Sequence, residues 1–309
     1  MRTYLALALL IAGTSIALPQ EAQLDLDELA RSAEQWAKEN LDEDALRVLQ
    51  NVDRDRVKRL LADLQKQFQA EYVVDLGALK ETAKAFVPLL EQYEETLPYA
   101  VWLKTRLDYL DVAERFRTTI PSPKIVPGEP PKPRPNPTPE KEREIWIEKM
   151  AQRPWPERAK PYVSRLKPIF VAQKVPPELV WIAEVESSFD PRARSPAGAA
   201  GLFQLTPDTA KRYGLRVSLF DQRLKAEKSA EAAAKYLRYL HGHFKDWRLA
   251  LAAYNSGEGT VQNLLKKRKA HTFDAISTHL PAETQLYVPK VEATLLRREG
   301  VRLSNLPSG

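Results

Sequence analysis

Apolar positions along this chain recur mostly at steps of three and four, the spacing of a helix face, and nowhere alternate long enough to make a convincing strand. From about Leu24 to Arg117, strong helix formers with few breakers predict helices. Examples are Asp53 to Ala70 and the stretch holding Tyr99, Trp102, Leu103, Leu107, Leu110 and Phe116. That spacing suits the core of a small bundle better than a ligand site. Residues 121–139 then carry nine prolines, which forbid helix and sheet interiors and predict an extended polyproline chain. At ~3.1 Å per residue such a spacer separates its ends by up to roughly 60 Å. Helical spacing returns from Pro168 to Arg298. Thr206-Pro207-Asp208 has the N-cap, first-turn proline and first-turn acid of a helix start, and Gly214 ends that helix. Further helices are expected from Ser229 to about Phe244 and from Asp246 to Asn255, the latter stopped by Ser256-Gly257-Glu258-Gly259. The extended candidate is the glycine-punctuated stretch 195–204, read as a short hairpin. The fold class expected is mainly α, with one small β hairpin.

One position breaks the pattern. Leu179, Ile182, Ala183 and Glu186 fall at i, i+3, i+4 and i+7, so a carboxylate occupies a place on an apolar stripe. Glu184 falls on the opposite face and reads as a solvated surface acid. Desolvation favours the protonated form of Glu186, and a carboxylic acid still protonated near neutrality can serve as a general acid.

Composition adds bounds. At 309 residues, 43% hydrophobic and 28% charged, the chain has room for about two domains. Met1-Arg2, the apolar run Tyr4 to Ala12 and Ser15-Ile16-Ala17 have the form of a secretory signal, with residues 1–17 removed. The run is too short to anchor in a bilayer, and no integral membrane span is expected. With no cysteine, disulfides, thiol nucleophiles and thiolate metal sites are excluded. His241, His243, His271 and His279 lack metal-site spacing, so neither a metal nor a cofactor is expected. Charge is uneven: −6 over residues 1–120, +1 over 121–140 and +11 over 141–309, for a net +6. The basic part suggests a polyanionic or carboxylate-rich partner. Nucleic acid would suit the charge, but Lys266-Lys-Arg-Lys269 has no interleaved aromatics and reads as a solvated helix end, so no nucleic-acid partner is expected.

Glu186-Ser-Ser-Phe-Asp-Pro191, Ala193, Ser195, Gly198, Gly201-Leu-Phe-Gln204, Pro207 and Thr209-Ala210 together resemble the first signature block of the lysozyme-like lytic transglycosylases. Ala252-Ala-Tyr-Asn-Ser-Gly257-Glu-Gly259-Thr-Val261 resembles the second block, and Leu280-Pro-Ala-Glu283-Thr-Gln-Leu-Tyr287-Val288 the third. The match is nearest to the membrane-bound type D branch, without the LysM repeats common there. Composition and spacing divide off an N-terminal acidic helical domain (24–118) and a Pro-rich linker (119–141), and the resemblance implies a lysozyme-like catalytic domain (142–309). The implied substrate is the peptidoglycan glycan strand, cut at the β-1,4 bond between N-acetylmuramic acid and N-acetylglucosamine. Glu186 is then the acid on the leaving oxygen and afterwards the base on the muramoyl C6 hydroxyl, giving a 1,6-anhydro end. The substrate's own acetamido group is implied as the stabiliser of charge at C1.

By position, the resemblance places Ser187, Ser195, Gln204, Tyr254, Asn255 and Tyr287 against substrate. Asp190, four residues after Glu186, is the nearest second carboxylate, but it precedes Pro191 and is expected to brace the turn. Phe203 and Leu205-Thr206 depart from the family's usual residues while keeping an apolar wall. Two other readings stay open. One is a goose-type-lysozyme-like hydrolase in which water attacks, and the other a catalytically silent wall-binding scaffold. The expected location is periplasmic or cell-wall associated. For the acidic N-terminal module, docking to a protein partner, dimerisation and spacing are all open.

Overall fold

The structure is a computed structural model and describes residues 54–124 and 132–307. The export signal at 1–17 and the helices expected between Leu24 and Asp53 lie outside the described residues. Leu61–Val217 and Asp221–Gly309 form one compact unit.

The upstream part contributes α1 (Arg54–Phe68), a helical turn (Val73–Leu76), α2 (Lys80–Glu91) and the long α3 (Leu97–Thr119). Pro98 sits in the first turn of α3, where its missing N–H has no partner to lose. Helix α3 is buried on more than one face, through Trp102, Leu103, Arg106, Tyr109, Leu110 and Phe116. Gly77 lets the turn after Val73–Leu76 lie against it: a Cβ there would come within 2.8 Å of the Glu114 backbone.

After the proline stretch, Thr138 caps α4 (Pro139–Ala151), which packs along α11 (Ala282–Glu299) and buries Trp146 and Met150. Helix α5 (Lys160–Ala172) leads through a 3-10 turn at Pro177–Trp181 into the short α6 (Ile182–Ser187). Then come α7 (Pro207–Arg212), α8 (Ala226–Phe244), α9 (Trp247–Ser256) and α10 (Glu258–Arg268). Helix α11 is the axis of the unit: every residue from Ala282 to Val291 is buried, against α4, α6, α9 and the turns Pro177–Trp181 and Val73–Leu76.

Thr206 caps α7 as expected from sequence, through Thr209 N–H (3.3 Å), and Asp246, expected as the first residue of α9, is instead its cap, through Leu249 N–H (2.9 Å). Helix α8 begins at Ala226 rather than Ser229, and Gly257, at φ +87°, turns the chain straight into α10 rather than into a loop. The expected hairpin reduces to two isolated antiparallel bridges, Arg194 with Ala200 and Ala200 with Leu205. No described helix is long and apolar enough to cross a membrane.

The expectation of an acidic module held away from the basic part by a stiff spacer does not describe residues 61–119. They belong to the same compact unit as the helices that follow. Proline content fixes local conformation but not whether the strap docks, and here Asn136 docks it. Its side chain donates to the Glu71 and Thr278 carbonyls (2.9 and 2.8 Å) and accepts from Val73 N–H (2.8 Å). Direct backbone bonds, Ala282 N–H to Ala70 O (2.7 Å) and Arg194 N–H to Pro98 O (3.2 Å), join the two parts further.

Candidate active site

Helix α6 is stopped by two successive left-handed residues, Ser188 (φ 51°) and Phe189 (φ 57°), whose N–H groups return to Glu184 O (3.0 Å) and Ala183 O (3.1 Å). Neither is glycine, so the stop holds backbone strain immediately after Glu186 and Ser187. Every residue of α6 is buried.

Glu186 is 4% exposed. Burial pushes its pKa up to about 7, against the Arg106 guanidinium, the nearby Tyr287 hydroxyl and Lys290, which favour the carboxylate, while Glu283 adds to the upward shift. The expectation that this carboxyl is buried and its pKa raised holds. The expectation for Glu184 does not: it is buried on the other side of the helix, where Arg298 of α11 grips it with two bonds, 2.9 and 2.8 Å. A helix buried all round has no solvated face, and the stripe argument assumed one.

The glycine stretch is held by side chains bonded to main-chain groups. Ser187 Oγ reaches Ala183 O (3.1 Å) and Leu202 O (2.9 Å), joining α6 to the loop. Ser195 Oγ accepts from Ala199 N–H (3.0 Å). Gln204 donates to Ala193 O (3.0 Å) and Gly201 O (2.9 Å), and its Oε1 has no protein partner. Tyr254, at the end of α9, donates to Phe203 O (2.7 Å) and lies near enough to Glu186 for that charge, after burial, to push its own pKa further up. Arg223, paired with Asp221, closes the far side through Gly198 O (2.7 Å) and Leu205 O (3.0 Å). Gly201, at φ +84°, permits this: a Cβ there would lie 1.9 Å from Arg223 O.

Asn255 accepts from Thr284 Oγ1 (2.7 Å), linking α9 to α11. Tyr287 is 1% exposed. Its hydroxyl lies toward Glu186, close enough to favour the carboxylate, and bonds no other protein group. Thus Glu186, Tyr254 and Tyr287 come together, whereas Ser187, Ser195 and Asn255 bond to the protein itself. Asp190 braces the turn as expected, accepting from Arg192 N–H (2.9 Å) and pairing with Arg158. Phe203 is fully buried against Phe170, so its ring is core rather than cleft wall.

Sequence reasoning missed Arg106, which reaches the site from α3 and pairs with Glu283 at 2.9 Å and with Glu186 at 3.8 Å. A signal was present: Arg106 stands four residues after Trp102 and four before Leu110, on an otherwise apolar face.

Residues 171–277 match the family model described as the transglycosylase SLT domain. The chain is 41% identical over 155 residues to membrane-bound lytic murein transglycosylase D of Escherichia coli strain K12, covering 47% of this chain and 34% of the relative. It is 36% identical over 121 residues to the soluble lytic murein transglycosylase of Salmonella typhimurium, covering 36% of this chain and 19% of the relative. The chain therefore spans about a third or less of the length of these relatives. Among solved structures, an inactive mutant of the lytic transglycosylase Slt from Pseudomonas aeruginosa aligns at TM-score 0.40 and 18% identity, over 90% of this chain and 47% of that one. The SLT segment holds Glu186, the glycine stretch and Tyr254. Tyr287, Glu283 and Arg106 lie outside it.

Proposed function

We propose that this protein is a peptidoglycan lytic transglycosylase, with Glu186 as its one acid–base residue. The observation that carries the reading is the burial of Glu186 at a pKa of about 7 inside the SLT segment. A group poised there gives up and recovers a proton with similar ease, as a two-stage acid then base requires. In the first stage Glu186 protonates the oxygen between N-acetylmuramic acid and N-acetylglucosamine, and the C1–O bond breaks. In the second the C6 hydroxyl oxygen of the same muramoyl residue bonds to C1 while its proton passes to Glu186. No water is consumed, and the carboxyl group is restored.

No described acid is placed as a nucleophile. Asp190 is held by Arg158 and Arg192, and Glu283 by Arg106 and Gln69. That supports charge stabilisation by the substrate's own acetamido group. Gln204 Oε1 and the Tyr287 hydroxyl, both without protein partners, have capacity left for sugar hydroxyls and amides. The proposed wall substrate and the signal-like residues 1–17 support a location in the periplasm or at the wall.

Digestion of purified sacculi tests the reading by mass spectrometry. The expected products end in 1,6-anhydromuramic acid, lighter by one water than hydrolysis products, and Glu186→Gln releases none. Reducing ends alone would make the protein a hydrolase. Release by Glu186→Gln equal to wild type would remove Glu186 from the chemistry.

A further inference from the structure

Helix α3 lies upstream of the SLT segment, yet it supplies the cation nearest Glu186. Arg106 is 5% exposed and every arm of its guanidinium is engaged. Nε and Nη2 donate to Glu283 Oε1 at 3.2 and 2.9 Å. Nη1 donates to Thr105 Oγ1 at 2.7 Å and to the main-chain carbonyl of Glu186 at 3.1 Å. The group lies 5.3 Å from the Trp102 ring centre.

Its anchor is braced in turn. Thr105 Oγ1 donates to Trp102 O (2.7 Å), leaving its lone pairs for Arg106. Lys290 of α11 donates to Thr105 O (2.9 Å) and pairs with Asp108 (3.2 Å). The last turn of α6 has carbonyls without helical partners, and Arg106 occupies the one on the acid itself. Without the guanidinium, two carboxyl groups would share a buried site with no charge between them, a costly arrangement.

We propose that Arg106 is a positioning residue for glycan cleavage, fixing Glu186 through its carbonyl and compensating the charge of Glu283, so that α3 is a working part of the active site. The inference rests on the transglycosylase reading, with Glu186 as the acid. The groups that face Glu186 are Arg106 from α3, Tyr254 from α9, and Glu283, Tyr287 and Lys290 from α11. Arg106 and Glu283 bear on it with opposite sign, so removing each shifts its titration in opposite directions.

The test is the pH profile of muropeptide release from sacculi by the full chain. A general acid gives a limb on which activity falls as pH rises. Arg106→Met is expected to move that limb to higher pH by about one unit or more and to lower kcat at least ~10-fold, with KM changed less than about threefold. Glu283→Gln is expected to move the limb to lower pH, because Arg106 then faces Glu186 alone. Arg106→Lys keeps the charge without the fork, so the limb returns toward wild type while kcat stays depressed. If Arg106→Met does not fold, Glu283→Gln and Arg106→Lys decide the matter. A folded Arg106→Met with wild-type rate and limb overturns the inference, as does a Glu283→Gln limb that moves upward or not at all. Glu186→Gln, run alongside, separates the two levels: if it is inactive, failure of the Arg106 arms counts against Arg106 alone; if it is active, the transglycosylase reading itself has failed.

Discussion

Replacing Glu186 by glutamine should abolish cleavage and also change how stability depends on pH. In the folded protein, burial raises this carboxyl from 4.5 to about 7. In the unfolded chain it titrates near 4.5. As pH rises from there, the unfolded state loses this proton first, so the native state of the wild type binds more protons and loses stability relative to the unfolded state. The loss grows until pH passes about 7 and is constant above. A difference of about 2.5 units at 1.36 kcal/mol each is about 3 kcal/mol. Glutamine has no such titration. The stability of Glu186→Gln minus that of wild type should therefore be about 3 kcal/mol more positive at pH 9 than at pH 4, whatever constant offset the amide brings. Glu142, another buried acid with a pKa raised by burial, is common to both proteins and cancels in the difference. Thermal melts at the two pH values read the effect as a relative gain of roughly 6–12 °C for the variant at pH 9, for a unit of this size. A difference that is flat with pH would show that Glu186 titrates in the folded protein as it does in water, and one of opposite sign that the fold lowers its pKa; either result refutes the reasoning.

Two further substitutions probe the supports of the site. Arg298→Ala removes the two-bonded partner of buried Glu184 on the reverse face of α6 and should destabilise by about 3–5 kcal/mol, seen in urea titrations; a loss under ~1 kcal/mol would mean the pair is dispensable. Gly201→Ala drives a methyl into the Arg223 carbonyl from a left-handed backbone, so it should lower stability by about 3 kcal/mol or more and cleavage with it, and wild-type melting and release would contradict the close approach.

Most of the helical architecture was legible because caps, prolines and apolar spacing are local, and the starts of α7 and α9 follow from Thr206 and Asp246. Glu186 was legible for the same reason, as a charge on an apolar stripe. What spacing could not give was how many sides of a helix are covered. Glu184 looks exposed on the assumption of one buried face, and only the approach of Arg298 from α11 shows otherwise. The proline strap misled in a related way: its sequence fixes an extended backbone, while the docking depends on the partners of one side chain, Asn136. Arg106 combines both difficulties. Its apolar neighbours mark it as buried, but nothing local says that a carboxylate from α6 and another from α11 meet it there.

The hydrogen bonds around the glycine stretch bear on how such a site binds. Ser187, Ser195, Gln204 and Tyr254 were expected against sugar, yet each is bonded to the main chain of the loop or of the helix beside it. These roles are compatible, because each bond leaves capacity: Gln204 keeps a free carbonyl oxygen, and the Tyr254 oxygen, while donating to Phe203, still has lone pairs. A loop already fixed by its own side chains need not be ordered by the ligand, so less binding free energy is lost on ordering. The same logic extends to Glu186. Its carbonyl is held by Arg106, its neighbour Ser187 is bonded to Leu202, and the helix stop behind it is strained but closed by two backbone bonds. On the proposed reading the acid is therefore positioned before substrate arrives, and part of what positions it comes from a helix outside the SLT segment.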